Sequence, residues 1–140
     1  MKDEHYIVEL CDKVLGLNAS RQHRFDFLRG DSKDQKKIGR KLSVDVYYKE
    51  KNLVVEYMER QHTESVKFFD KPERMTVSGV DRGEQRKIYD ERRRQVLPEN
   101  NIKLVEISYS DFDHDKNKRI IRNPKKDEEV IKIKLDEFLK

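Results

Sequence analysis

Residues 44–62, VDVYYKEKNLVVEYMERQH, decide how the rest of the chain folds. Two runs of alternating apolar and polar residues flank a four-residue polar connection, Lys49-Glu50-Lys51-Asn52. That pattern predicts a β-hairpin in which Tyr48 opposes Leu53, Val46 opposes Val55 and Asp45 opposes Glu56. One face then carries Val44, Val46, Tyr48, Leu53, Val55 and Tyr57. The other carries Asp45, Tyr47, Val54, Glu56 and Met58. Two carboxylates face each other across the strands, roughly 5 Å apart at Cβ, where like charges repel. Strand interiors are depleted in aspartate, so a pair of acids in two otherwise apolar strands asks for a reason. A divalent cation between them is the usual one.

Outward from the hairpin, the chain reads as helix, strands, helix, strand, helix. Tyr6, Ile7, Leu10, Cys11, Val14 and Leu15 recur at helical spacing over residues 4–16, with Gly16 as the stop. Arg24 to Leu28 is a short strand, and residues 30–41 (GDSKDQKKIGRK) form a polar, lysine-rich connection. From Thr63 to Gly83 the chain is loop-like. A helix is expected over 83–97, ended by Pro98. A buried strand follows from Lys103 to Ser108, then an amphipathic helix over 127–139. The expected architecture is α/β: a small mixed β-sheet flanked by helices, in a single domain spanning residues 1–140.

Composition narrows the function. Of 140 residues, 43% are charged and 34% hydrophobic, but the apolar ones are periodic, which argues for a folded core. No apolar run approaches the roughly 20 residues of a membrane span. The first residues, MKDEHYIVELC, place acids where a secretory leader has its apolar segment. The single cysteine, Cys11, rules out an internal disulfide, so a cytoplasmic setting and no membrane partner are expected. The net charge of +4 permits nucleic-acid binding without demanding it. Arg92-Arg93-Arg94 and Lys33, Lys36, Lys37, Arg40 and Lys41 are candidate phosphate contacts, with Arg92, Arg93, Lys36 and Lys37 the choice among them. Phosphate-loop, dinucleotide and zinc-finger patterns are absent. Asp111, Asp113, Asp115 and Asn117 imitate a calcium loop but lack its glycine and final glutamate.

The segment Glu59-Arg60-Gln61-His62 places donors and a proton carrier beside the acid pair. With it, the chain resembles the PD-(D/E)xK nuclease superfamily, most closely the branch of very-short-patch repair and homing-endonuclease-like proteins. The resemblance covers about residues 40–110. It rests on Val44-Asp45-Val46-Tyr47, Asn52 to Tyr57, Gln61-His62, Asp90 to Arg93 and Asn101 to Ile107. Met58-Glu59 stands where the superfamily carries an Asp-Gly or a lysine.

The resemblance implies a restriction-endonuclease-like core that cleaves DNA with Mg²⁺, Mn²⁺ substituting, and it leaves room for a homodimer. Asp45 and Glu56 would be the metal ligands. An acid from the first helix would join them, and of Glu4 and Glu9 the choice is Glu9. Gln61 and His62 would position or deprotonate the attacking water, and Arg60 would offset phosphate charge. Asp26 is a further acid that could approach the site. The alternative is a catalytically degenerate nuclease-fold domain that binds nucleic acid or a protein partner. A purely structural subunit is a third class, which predicts no salt-dependent DNA binding.

Overall fold

The computed structural model describes residues 1–33, 37–59, 77 and 79–139. The hairpin forms in the register that its alternation predicts. Strand β2 (Lys41–Tyr48) runs antiparallel to β3 (Leu53–Met58), with Val46 opposite Val55, Tyr47 opposite Val54 and Tyr48 opposite Leu53. A single 3₁₀ turn, Lys49–Lys51, joins them. Asn52 closes it at φ 47°, a left-handed conformation that asparagine tolerates better than most residues.

Strand β4 (Lys103–Ser108) lies parallel to β3, from Leu53 beside Lys103 to Met58 beside Ser108. Parallel neighbours need a crossover, which here contains helix α2 (Arg82–Glu99). With β1 (Ser20–Arg29) the four strands form one mixed sheet in the order β1-β2-β3-β4. Helices α1 (Asp3–Leu15) and α3 (Pro124–Lys134) complete a mixed α/β architecture. Among the described residues, no helix is long and apolar enough to cross a membrane.

The chain divides into two compact units. The first comprises residues 1–23, 44–61 and 103–140. Its core joins one face of the hairpin (Val46, Tyr48, Leu53, Val55 and Tyr57) to Ile7 and Cys11 of α1, Ile107 of β4 and Ile131 of α3. Burial pushes the Cys11 thiol up to about 12, far from the thiolate range in which cysteine reacts. At the end of α1, Gly16 takes φ 68° and, with Leu17, returns its N–H to the Asp12 carbonyl.

A buried acid pins α3 to α1. Asp127 is 2% exposed and accepts hydrogen bonds from the Tyr6 hydroxyl (2.5 Å) and the Asn123 N–H (2.9 Å). Arg122 lies over the Tyr6 ring, 4.8 Å from its centroid. Helix α3 begins earlier than periodicity alone suggests, because Asn123 caps it and Pro124 takes its first turn, where a missing N–H costs nothing. It ends at Lys134, and Asp136–Phe138 continue as a 3₁₀ turn.

The second unit comprises residues 24–43 and 62–102. Tyr89 of α2 accepts the Asp31 N–H (2.9 Å), and its ring packs against Gly30 so closely that a Cβ there would meet the hydroxyl at 2.8 Å. Glycine is the residue that this approach admits. Pro98 lies inside the last turn of α2 instead of stopping it. A proline there forfeits one hydrogen bond, and the turn closes regardless with Asn100 and Ile102 N–H groups on the Leu97 carbonyl, 3.0 Å each. Strand β1 starts at Ser20, four residues before the expected Arg24; those residues are polar, and Ser20 to Gln22 are exposed, without the apolar alternation that marks a strand.

The Tyr57 hydroxyl is buried and has no hydrogen-bond partner among the described residues. Leaving a buried donor unmade costs about 1–3 kcal/mol. Tyr57→Phe removes that cost and keeps the ring, so its melting temperature should rise by a few degrees. Thermal melts of the two proteins decide it. A lower melting temperature in the variant would mean that the hydroxyl is satisfied by water.

Candidate active site on the hairpin

In the first unit, the hairpin pairing runs to Val46 opposite Val55, and beyond it each of the two acids reaches the main chain of the other strand. The Asp45 N–H donates to Glu56 Oε2 (2.8 Å), and the Tyr57 N–H donates to Asp45 Oδ2 (2.8 Å). Beyond Val46 and Val55, each acid thus accepts a main-chain N–H from the opposite strand. Such charge-assisted bonds are stronger than neutral ones and orient the acid. Glu56 is 9% exposed, a nearly buried acid on the face opposite the apolar core.

A third carboxyl comes from α1. Glu4 hydrogen-bonds to Asp45, and its pKa is pushed up to about 7. Burial is the largest cause, then the charge and hydrogen bond of Asp45, then the charge of Glu59. The Gln22 amide opposes the shift, donating to Glu4 Oε2 at 3.3 Å. Gln22 does so from φ 49°, which side-chain-bearing residues seldom adopt. Repulsion between the acids is therefore relieved in part by a proton held on Glu4.

Glu9, the sequence-based choice from this helix, lies elsewhere. It is exposed and pairs with His5 Nε2 at 3.0 Å. The reason is helical geometry: five residues at 3.6 per turn put Glu9 roughly 140° around α1 from Glu4. Glu4 lies on the stripe of Val8 and Cys11, both buried, which points it inward. That stripe was visible in the sequence and favours Glu4 over Glu9.

No protein-family model, curated protein or solved structure matches this chain. The chemistry must be argued from the side chains themselves.

Among the described residues, no three His, Cys, Asp or Glu side chains form a metal-holding group. The donors at Asp45 and Glu56 are all oxygen, and each acid spends one of its two oxygens on an N–H. Mg²⁺ is a hard cation that keeps several waters and needs only one or two protein carboxylates. An all-oxygen pair with excess negative charge fits that ion and does not fit a soft or closed structural site.

The remaining candidates fall in three groups. Arg60, Gln61, His62 and Lys36 lie outside the described residues. Lys37 is exposed. Arg92 and Arg93 are engaged within the second unit: Arg92 bonds the Arg29 carbonyl (3.1 Å) and Asp31 (2.9 Å) and lies over Tyr89, and Arg93 bonds the Ser43 carbonyl and Asp90, 3.1 Å each. Asp26 is paired with Lys41 at 2.6 Å, which holds its carboxyl below the usual range. Met58 is half-buried at the end of β3.

Glu4 makes stability pH-dependent with a definite sign. Its folded pKa is raised from 4.5 to about 7, so between those values the folded chain holds a proton that the unfolded chain does not. Stability from this group is complete below pH 4.5 and is lost as pH rises through 7. Melting temperatures measured from pH 5 to 8 should therefore fall more steeply for the wild type than for Glu4→Gln. Parallel curves would remove Glu4 from the acid cluster.

Proposed function

We propose that this protein is a metal-dependent endonuclease that hydrolyses phosphodiester bonds in DNA on a restriction-endonuclease-like core. The observation that carries the reading is the crossed pair Asp45 and Glu56, each held by the other strand's N–H, with Glu4 of α1 bonded to Asp45. The element order supports it: a strand bearing the Asp, a hairpin, a strand bearing the Glu, then a helix rich in acids and bases and a strand parallel to the second.

Asp45 and Glu56 would hold Mg²⁺, with Mn²⁺ able to substitute. When bound, the cation supplies charge that polarises the scissile phosphate. Glu4 adjusts the charge beside Asp45. Gln61 and His62 orient the attacking water and take its proton, and Arg60 offsets charge on the phosphate. The cellular setting that fits is cytoplasmic. The test is conversion of supercoiled plasmid to nicked or linear forms with Mg²⁺ or Mn²⁺, set against the same reaction in EDTA.

Met58 favours a second reading. It occupies the place, two residues after Glu56, where the superfamily pattern carries its lysine, and a thioether cannot stabilise an oxyanion. A degenerate domain that only binds nucleic acid would retain salt-dependent DNA affinity and leave the plasmid supercoiled at every metal concentration.

A further inference from the structure

We propose that Gln22 is a positioning residue for the acid pair: its side-chain amide holds Glu4, and through Glu4 it orients Asp45 for the cation. This rests on the reading of Asp45 and Glu56 as a metal centre. The amide of Gln22 donates to Glu4 Oε2 at 3.3 Å, and Glu4 in turn hydrogen-bonds to Asp45. All of these residues belong to the first unit.

The backbone marks Gln22 as a residue kept for its side chain. It lies within β1 at φ 49°, in the left-handed region. Glycine adopts that region freely, asparagine and aspartate tolerate it, and a longer side chain is strained there. Strained backbone of this kind persists where its surroundings hold it, and it clusters at functional sites. Glutamine suits the backbone here poorly, so what it contributes is the amide.

The strain has a visible product. Successive side chains of a strand point to opposite faces. Arg21 and Gln22 are neighbours, yet both reach α1: Arg21 donates to His5 Nδ1 (3.1 Å) and lies 3.7 Å from Asp12 Oδ2, while Gln22 takes Glu4. The left-handed residue breaks the alternation and re-aims a side chain, as a β-bulge does beside an active site. Arg21, and Ala19 whose N–H donates to Asp12 Oδ1 (3.2 Å), fasten this segment to α1 by contacts that do not involve Glu4. The segment is therefore anchored without Gln22. Groups that orient a metal's ligands change its affinity by about 10–100-fold when lost, and Gln22 and Glu4 stand in that relation to Asp45.

The test is calorimetric titration with Mg²⁺, beside the rise in melting temperature that Mg²⁺ produces. Gln22→Gly removes the amide and suits the left-handed backbone. It should leave the metal-free melting temperature unchanged, because relief of the strain offsets glycine's greater freedom in the unfolded chain. It should weaken Mg²⁺ binding at least about tenfold. In a Glu4→Ala background the same substitution should weaken binding no further, because the amide acts through that carboxyl. Arg21→Ala, which removes an anchor to α1, should lower the melting temperature and leave Mg²⁺ affinity unchanged. An unchanged affinity in Gln22→Gly, or a loss of the same size with and without Glu4, overturns the positioning role. A wild type that binds no Mg²⁺ overturns that role and the metal reading together. Affinity that depends on Gln22 through Glu4, with a plasmid that stays uncut in Mg²⁺, keeps the positioning role and discards the nuclease reading.

Discussion

Asp45→Asn and Glu56→Gln should each reduce Mg²⁺-dependent DNA cleavage by more than about 100-fold. Even partners one shell removed from a metal cost 10–100-fold when lost, so a carboxylate that holds the cation must cost more. The substitutions are chosen to spare the fold. An amide oxygen can still accept the N–H that each carboxylate accepts now, Tyr57 for Asp45 and Asp45 for Glu56. Asp45→Asn also removes a charge that Glu4 and Glu56 must otherwise tolerate, so the metal-free variant should melt at or above the wild-type temperature. The wild type should gain stability when Mg²⁺ is added, and the variant should not. Single-turnover cleavage rates beside melting curves test all of this. Wild-type activity in either variant removes the pair from the reaction. A destabilised Asp45→Asn protein with normal cleavage makes Asp45 a structural acid.

The largest effect on stability should come from Asp127→Ala. Its carboxylate is the acceptor for the Tyr6 hydroxyl and the Asn123 N–H. Removing it strands the buried Tyr6 hydroxyl and the part-buried Asn123 N–H. A buried donor left unmade costs about 1–3 kcal/mol, and the part-buried N–H adds less, so a loss of about 2–3 kcal/mol is expected, which lowers the melting temperature by several degrees. Asp127→Asn keeps an acceptor and should lose less than half as much. Adding Tyr6→Phe to Asp127→Ala should recover part of the loss, because one stranded donor is then gone. Denaturant midpoints for the wild type, Asp127→Ala, Tyr6→Phe and the double variant form the cycle. A cost below about 1 kcal/mol for Asp127→Ala would mean that solvent enters between α1 and α3 and satisfies the donors.

Asp127 marks a limit of sequence reasoning. It belongs to a charged run, Lys125-Lys126-Asp127-Glu128-Glu129, that reads as a solvated helix face. Its partner Tyr6 lies 121 residues away. Nothing local separates it from its exposed neighbours; only the approach of α3 to α1 buries it. Arg92 and Arg93 show the same limit from the other side. In sequence they look like free cations, and the fold spends them on carbonyls and acids of their own unit. Long side chains reach whatever the tertiary structure brings near, so their role is decided last.

The hairpin behaved oppositely. Its strands, faces and pairing followed from a period of two and a short connection, because a slip of one residue would turn Val46, Tyr48, Val55 and Tyr57 to the wrong side. That register runs to Val46 opposite Val55, and Asp45 and Glu56 are the next residues along each strand. The sequence by itself thus determined the hairpin and the mixed α/β class, both of which depend on neighbours a few residues apart or on strict alternation. Tertiary structure decided that α1 brings an acid, Glu4, against Asp45 at all, and which arginines of α2 are used up internally. Those choices depend on the rotation of each helix about its axis, which packing sets after the local pattern has been satisfied.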